Sequence, residues 1–110
     1  MNKDEIHLDL LRRIEKNPQY TQRALSKEMG VSLGKVNYCV KKLIEKGWVK
    51  ANNFRNNPNK LNYTYLLTPK GIENKSKLTL SFLQRKIKEY ELLKAEIIQL
   101  KIDSEKDDLP

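Results

Sequence analysis

The sequence predicts a mainly α-helical chain with one small β-hairpin, an α+β arrangement that closes on a long C-terminal helix. Three observations predict it. Apolar residues recur at three- and four-residue steps in separate stretches over residues 4–16, 21–46 and 72–105. Residues 48–67 break that pattern, with aromatic and β-branched residues on either side of the turn signal Asn56-Asn57-Pro58-Asn59. Residues 72–105 contain neither proline nor glycine and are rich in strong helix formers.

The first helix is expected over residues 4–16, with Ile6, Leu10, Leu11 and Ile14 as its inner face. Asp4 and Glu5 suit its first turn, Arg12, Arg13 and Lys16 its last, and Asn17-Pro18 stops it. His7 is read as part of this scaffold. Thr21 is the N-cap of a second helix whose inner stripe is Ala24, Leu25 and Met29. Gly30 closes it and Val31 plugs the corner. Ser32 caps a third helix with inner residues Val36, Val40, Leu43 and Ile44, ended by Gly47. Gly34, early in that helix, costs about 1 kcal/mol relative to alanine. Either a side chain there would obstruct something close, such as a DNA backbone, or the first turn simply tolerates it.

Two strands are predicted at roughly 48–55 and 61–67, joined by a tip longer than a tight turn. Thr68-Pro69 opens the last helix as cap and first helical residue, with Gly71 as a local weakness. Its apolar residues Leu80, Leu83, Ile87, Tyr90, Leu93, Ile97 and Leu100 step by three and four as a packed seam requires. The steps 87-90-93-97 break a strict heptad, and Leu92, Ile98 and Ile102 widen the stripe. An antiparallel or crossed helix pair between two subunits is expected. The other reading folds the helix back on its own domain. The chain thus divides into a domain at 4–75, a dimerisation helix at 76–105 and a frayed acidic tail at 106–110.

Charge narrows the function classes. The net charge is +8, but residues 1–75 carry 15 Lys/Arg against 7 Asp/Glu while residues 76–110 carry 7 of each. A surplus confined to one part points to an anionic partner. The single cysteine, Cys39, excludes an intrachain disulfide, and nothing is spaced as a metal site. With one histidine, no carboxylate or His/Cys cluster and no Gly-rich phosphate loop, neither an enzyme nor a cofactor is expected. There is no run of 18 apolar residues and no signal-type leader, so no membrane partner and a cytoplasmic location are expected.

Helix, tight corner, helix, then hairpin is the plan of a winged helix-turn-helix. An α-helix fits the major groove of duplex DNA, where lysine can donate to guanine and asparagine can pair with adenine. The outward face of the third helix offers Lys35, Asn37, Tyr38 and Lys41 to the groove. Thr21, Gln22, Arg23, Ser32 and Lys42 suit phosphate contacts, and Arg55 and Lys60 flank the wing tip. Residues 35–60 hold seven basic residues and one acid. The blander reading makes these lysines a solvated helix face and the fold a protein-interaction module.

Residues 6–73 resemble the DNA-binding core of the MarR family of bacterial transcriptional regulators. The motifs that carry this are LSKEMGVSLGKVNYCVKKLIEKGWV and, after the wing, YLLTPKGIENK. The short chain with its long C-terminal helix is similar to the members associated with exopolysaccharide gene clusters. The resemblance implies a homodimer, by default a repressor, on a pseudo-palindromic operator of double-stranded DNA. It implies Lys35, Asn37, Tyr38 and Lys41 as groove-facing residues and Arg55 as the wing residue. Only five residues precede Ile6, so the long amino-terminal dimerisation helix of full-sized members is expected to be missing. That leaves little reason to expect a small-molecule effector between the two regions. Some relatives sense oxidants through cysteine, which raises the alternative of redox sensing at Cys39.

Overall fold

The computed structural model describes residues 2–53 and 63–107. Its elements are α1 (Lys3–Lys16), α2 (Gln22–Met29), α3 (Leu33–Glu45), β1 (Val49–Asn53), β2 (Tyr63–Leu67) and α4 (Pro69–Asp107). They form two units, Met1–Leu78 and Thr79–Pro110.

The helices of the first unit start where short polar side chains replace missing backbone partners. The side chain of Asn2 accepts from the Glu5 amide, Thr21 from Ala24, and Ser32 from Lys35. The Thr21 and Ser32 caps follow the sequence expectation. Asn2 was missed, although Asn-x-x-Glu just before an apolar run is a readable start signal. Gly30 closes α2 in the left-handed conformation at φ 69°, and Gly47 follows α3 at φ 75°. Only glycine takes such angles cheaply.

The core joins Ile6, Leu10, Leu11 and Ile14 of α1, Leu25 of α2 and Val36, Cys39, Val40 and Leu43 of α3. Val49 and Tyr65 of the hairpin complete it. Burying each such aliphatic side chain is worth about 1.5–3 kcal/mol, and this cluster is what orients the three helices. Met29 and Val31 pack partly buried at its rim. Ile44 does not belong to it: the side chain is 38% exposed. In α3 it falls a full 100° turn-step past Leu43, off the stripe set by residues 36, 39, 40 and 43. Cys39 fills the place that the sequence reading gave to Ile44.

The strands pair antiparallel, with Val49 opposite Leu67 and Asn53 opposite Tyr63. Predicted strand residues 54–55 and 61–62, and the tip with Arg55, Asn56, Asn57, Pro58, Asn59 and Lys60, lie outside the described residues. The base of the hairpin is fastened at both ends. The Tyr65 amide donates to the Pro18 carbonyl at 3.1 Å, and the Thr68 amide to the Trp48 carbonyl at 3.0 Å. The Thr68 hydroxyl donates to the Gly47 carbonyl and accepts from the Gly71 amide at 3.0 Å, capping α4.

Gly71 is therefore not a weak spot. It is buried, and a Cβ there would lie 2.0 Å from the Trp48 carbonyl oxygen. Glycine is required because the first turn of α4 lies directly on the backbone at the end of α3. This joins the two sequence motifs physically: Lys-Gly-Trp-Val and Leu-Thr-Pro-Lys-Gly are the two halves of one contact.

Residues 69–78 of α4 complete the first unit, with Leu78 packed against the core and Lys75 paired with Glu15 at 3.0 Å. The helix runs on to Asp107, two residues past the expected end at 105. In the second unit, Leu80, Leu83, Ile87, Tyr90, Leu93, Ile97 and Leu100 are all between 45% and 65% exposed. Among the described residues, nothing covers this seam.

Candidate nucleic-acid interface

The site is built from α3 outward. Val36, Cys39, Val40 and Leu43 turn one face into the core, which at 100° per residue turns Gly34, Tyr38 and Lys41 to the opposite face. Tyr38 is 60% exposed, and Gly34 and Lys41 are exposed on either side of it. Lys35 is also exposed, on the flank of this stripe. A Cβ at Gly34 would meet no atom of the protein within 4 Å. Nothing inside the fold asks for glycine here, in contrast to Gly71.

The fourth groove candidate, Asn37, sits differently. It is half-buried on the flank facing α2, and its Oδ1 accepts from Gln22 Nε2 at 3.5 Å. Gln22 Nε2 also donates to the Tyr65 hydroxyl at 3.0 Å. One side chain thus links the start of α2, the outer flank of α3 and the wing strand. Sequence reading assigns Gln22 to phosphate and overlooks Tyr65, whose place opposite Ala51, alternating with exposed Leu66, is the signal that it faces inward.

The phosphate candidates divide similarly. Arg23, Thr21 and Ser32 are exposed. The Thr21 and Ser32 oxygens accept cap bonds, yet each hydroxyl retains its hydrogen for a further acceptor. Lys42 is half-buried, 3.4 Å from Glu45 and 5.6 Å from the Tyr38 ring centre. Lys46 lies over the Trp48 ring at 4.7 Å, and Lys50, one of the seven basic residues of 35–60 with no contact assigned to it, projects exposed from β1.

On the other side of the unit, Arg13 bonds Asp9 and Glu28, each at 2.9 Å. Glu28 also accepts from the Tyr20 hydroxyl. Asp9, Arg13 and Tyr20, with Arg12 and Lys16, line a surface depression of about 320 Å³. The Arg13–Glu28 pair ties α1 to α2.

Cys39 is 4% exposed, and burial pushes its thiol pKa up against the pull of Lys35 and Lys3. A reactive thiolate needs the reverse on both counts. Among the described residues no group of three or more His, Cys, Asp or Glu is placed to hold a metal, and no helix is long and apolar enough to cross a membrane.

Residues 3–50 match the winged helix-turn-helix DNA-binding family. No curated protein matches the chain. Among solved structures it is similar to the multiple antibiotic resistance repressor MarR, with a TM-score of 0.64 at 24% identity over 94% of this chain and 75% of that one. The transcriptional regulator BldR from Sulfolobus solfataricus superposes with a TM-score of 0.62 at 19% identity, covering 88% of this chain and 73% of BldR. MepR of S. aureus, in a complex with DNA, gives 0.62 at 16% identity over 92% and 76%. The fold is that of MarR-type winged-helix regulators.

Proposed function

We propose that this winged-helix chain is a cytoplasmic transcriptional regulator that reads double-stranded DNA as a homodimer, repressing by occupying a pseudo-palindromic operator. The observation that carries the reading is the outward stripe of α3. Gly34, Tyr38 and Lys41 form a stripe with exposed Lys35 beside it, free of any role in the core. A helix so faced can enter the major groove with Lys35 and Lys41 on base edges and Tyr38 against sugar or a thymine methyl. Asn37 joins them through its amide donor, its oxygen being engaged by Gln22. Arg23, Thr21 and Ser32 stand where phosphates would flank the groove, with Lys42 at the far side. Arg55 and Lys60 would serve at the wing.

Steric repression needs no domain beyond these, which makes it the simplest mode of action. The DNA complex of MepR and the repressor function of MarR support the reading by likeness of fold.

The test is a competitive titration with operator-containing and random duplexes at two salt concentrations. Specific binding that weakens steeply with salt is expected. Equal competition by random duplex defeats the sequence-reading role, and absence of binding at low salt leaves an interaction module. Within that assay Lys41→Ala should cost about 1–3 kcal/mol and relax preference at one base pair. Arg23→Ala should weaken all duplexes alike and lower the salt slope by about one.

A further inference from the structure

The apolar seam of α4 has an order that the heptad description hides. Its residues 80, 83, 87, 90, 93, 97 and 100 are separated by steps of 3, 4, 3, 3, 4 and 3. Read from either end the series is the same, with Tyr90 at its centre. The irregularity at 87-90-93 is the midpoint of a palindrome.

We infer that α4 pairs with the α4 of a second copy in antiparallel orientation, with the twofold axis at Tyr90. This rests on the homodimer reading above and specifies its geometry. In that register Leu80 faces Leu100 of the second copy, Leu83 faces Ile97, Ile87 faces Leu93, and Tyr90 meets its own counterpart. Phe82, outside the seam series, falls opposite Ile98, one of the residues that widen the stripe. Each of these residues except half-buried Phe82 is 45–65% exposed in the single chain. An apolar face of that length is not left to water in a stable chain.

Charge selects the direction. Residues 76–88 carry Lys77, Arg85, Lys86 and Lys88 and no acid. Residues 89–110 carry seven acids against Lys94, Lys101 and Lys106. A parallel pair lays the basic half on the basic half and the acidic half on the acidic half. The antiparallel pair lays each on its opposite, which favours association and disfavours the alternative. At 1.5 Å per residue, the two Thr79 residues, where each copy joins its first unit, then stand about 33 Å apart along the pair.

The experiment uses the full chain with Cys39→Ala as background and needs no DNA. Sedimentation should give a dimer, and oxidation should link Tyr90→Cys to itself. Leu83→Cys alone should not link, because its two copies lie about 21 Å apart along the axis, beyond the Cα separation of about 7 Å that a disulfide spans. A mixture of Leu83→Cys and Ile97→Cys chains should link, at least about tenfold above either alone, since only the mixed pair meets disulfide geometry. Self-linking of Leu83→Cys shows a parallel pair and overturns the inference. So does a monomer, or a dimer in which neither Tyr90→Cys nor the mixed pair links. A dimer linking as expected that binds no duplex leaves this geometry standing and defeats the DNA-reading function alone.

Discussion

The two units of this chain use the same apolar residues at the same spacing and end in opposite states. In Met1–Leu78, Leu10, Leu11, Leu25, Val36 and Leu43 are wholly buried, held among three helices and a hairpin. In Thr79–Pro110, Leu83, Ile87 and Ile97 stand 54%, 52% and 45% exposed on one helix. Helical periodicity says that a residue faces a partner; it does not say whether that partner lies within the chain. The composition around the stripe does. In the first unit the stripes are short and broken by caps and glycines, so the chain can turn back on itself. Beyond Gly71 no glycine or proline occurs before Pro110, so nothing in the sequence lets the helix return.

The strongest way to break this contrast is to make the same truncation in both units. Leu11→Ala opens a cavity in a closed core and should lower stability by about 2–5 kcal/mol at any protein concentration. Leu83→Ala removes the same atoms from an exposed face. Its effect should appear only through association, as a melting temperature that falls with dilution more steeply than in the unaltered chain. Thermal melts of both variants over a hundredfold range of concentration separate the two cases. A concentration-independent loss in Leu83→Ala would place that face within its own chain.

A smaller effect distinguishes two glycines, each in the first turn of a helix. At Gly71 an added Cβ would fall 2.0 Å from the Trp48 carbonyl oxygen, so the contact between α4 and the hairpin base must open. Gly71→Ala should destabilise by about 1–3 kcal/mol, a typical overpacking cost, despite the better helix propensity of alanine. At Gly34 an added Cβ meets open space. Gly34→Ala should therefore stabilise the fold by up to about 1 kcal/mol. If the glycine lies against a DNA backbone, the same change weakens duplex binding. Denaturant midpoints with a binding titration decide between the two readings of Gly34, since a stabler protein with unaltered affinity assigns it no role at the interface.

These cases show what was legible in the sequence. Element order, the Thr21, Ser32 and Thr68 caps, and the exposed lysines of α3 all followed from local rules that act within a few residues. What escaped depended on contacts between distant segments. Gly71 looked like a helix weakness because the Trp48 carbonyl that excludes a side chain lies 23 residues earlier. The contact between Gln22 and the Asn37 oxygen, 15 residues apart, was likewise not legible from local spacing. Ile44 passed for core because two adjacent apolar residues, Leu43 and Ile44, cannot both be central to one stripe, and spacing from Val40 alone favours the wrong one.

The smallest effect concerns the buried histidine of the first unit. His7 is 2% exposed on α1. Burial holds its pKa below the ordinary value of 6.5, with Lys46 and Lys3 pushing the same way and Asp4 opposing them. The folded chain therefore keeps His7 neutral under conditions where the unfolded chain has begun to protonate it. Whatever stability this difference carries is fully present above pH 6.5. It is lost as pH falls from there toward the lowered pKa of the folded state, and below that pKa there is no further loss from this group. Most carboxylates titrate lower, near 4, so the first decline on acidification belongs to the histidine. Urea midpoints measured from about pH 7.5 down to 5.5 should fall in the unaltered chain and stay nearly level in His7→Gln, whatever that variant loses uniformly. An equal slope in both would mean that the folded chain admits the proton at His7 without penalty, and that this edge of the first unit is less closed than its burial indicates.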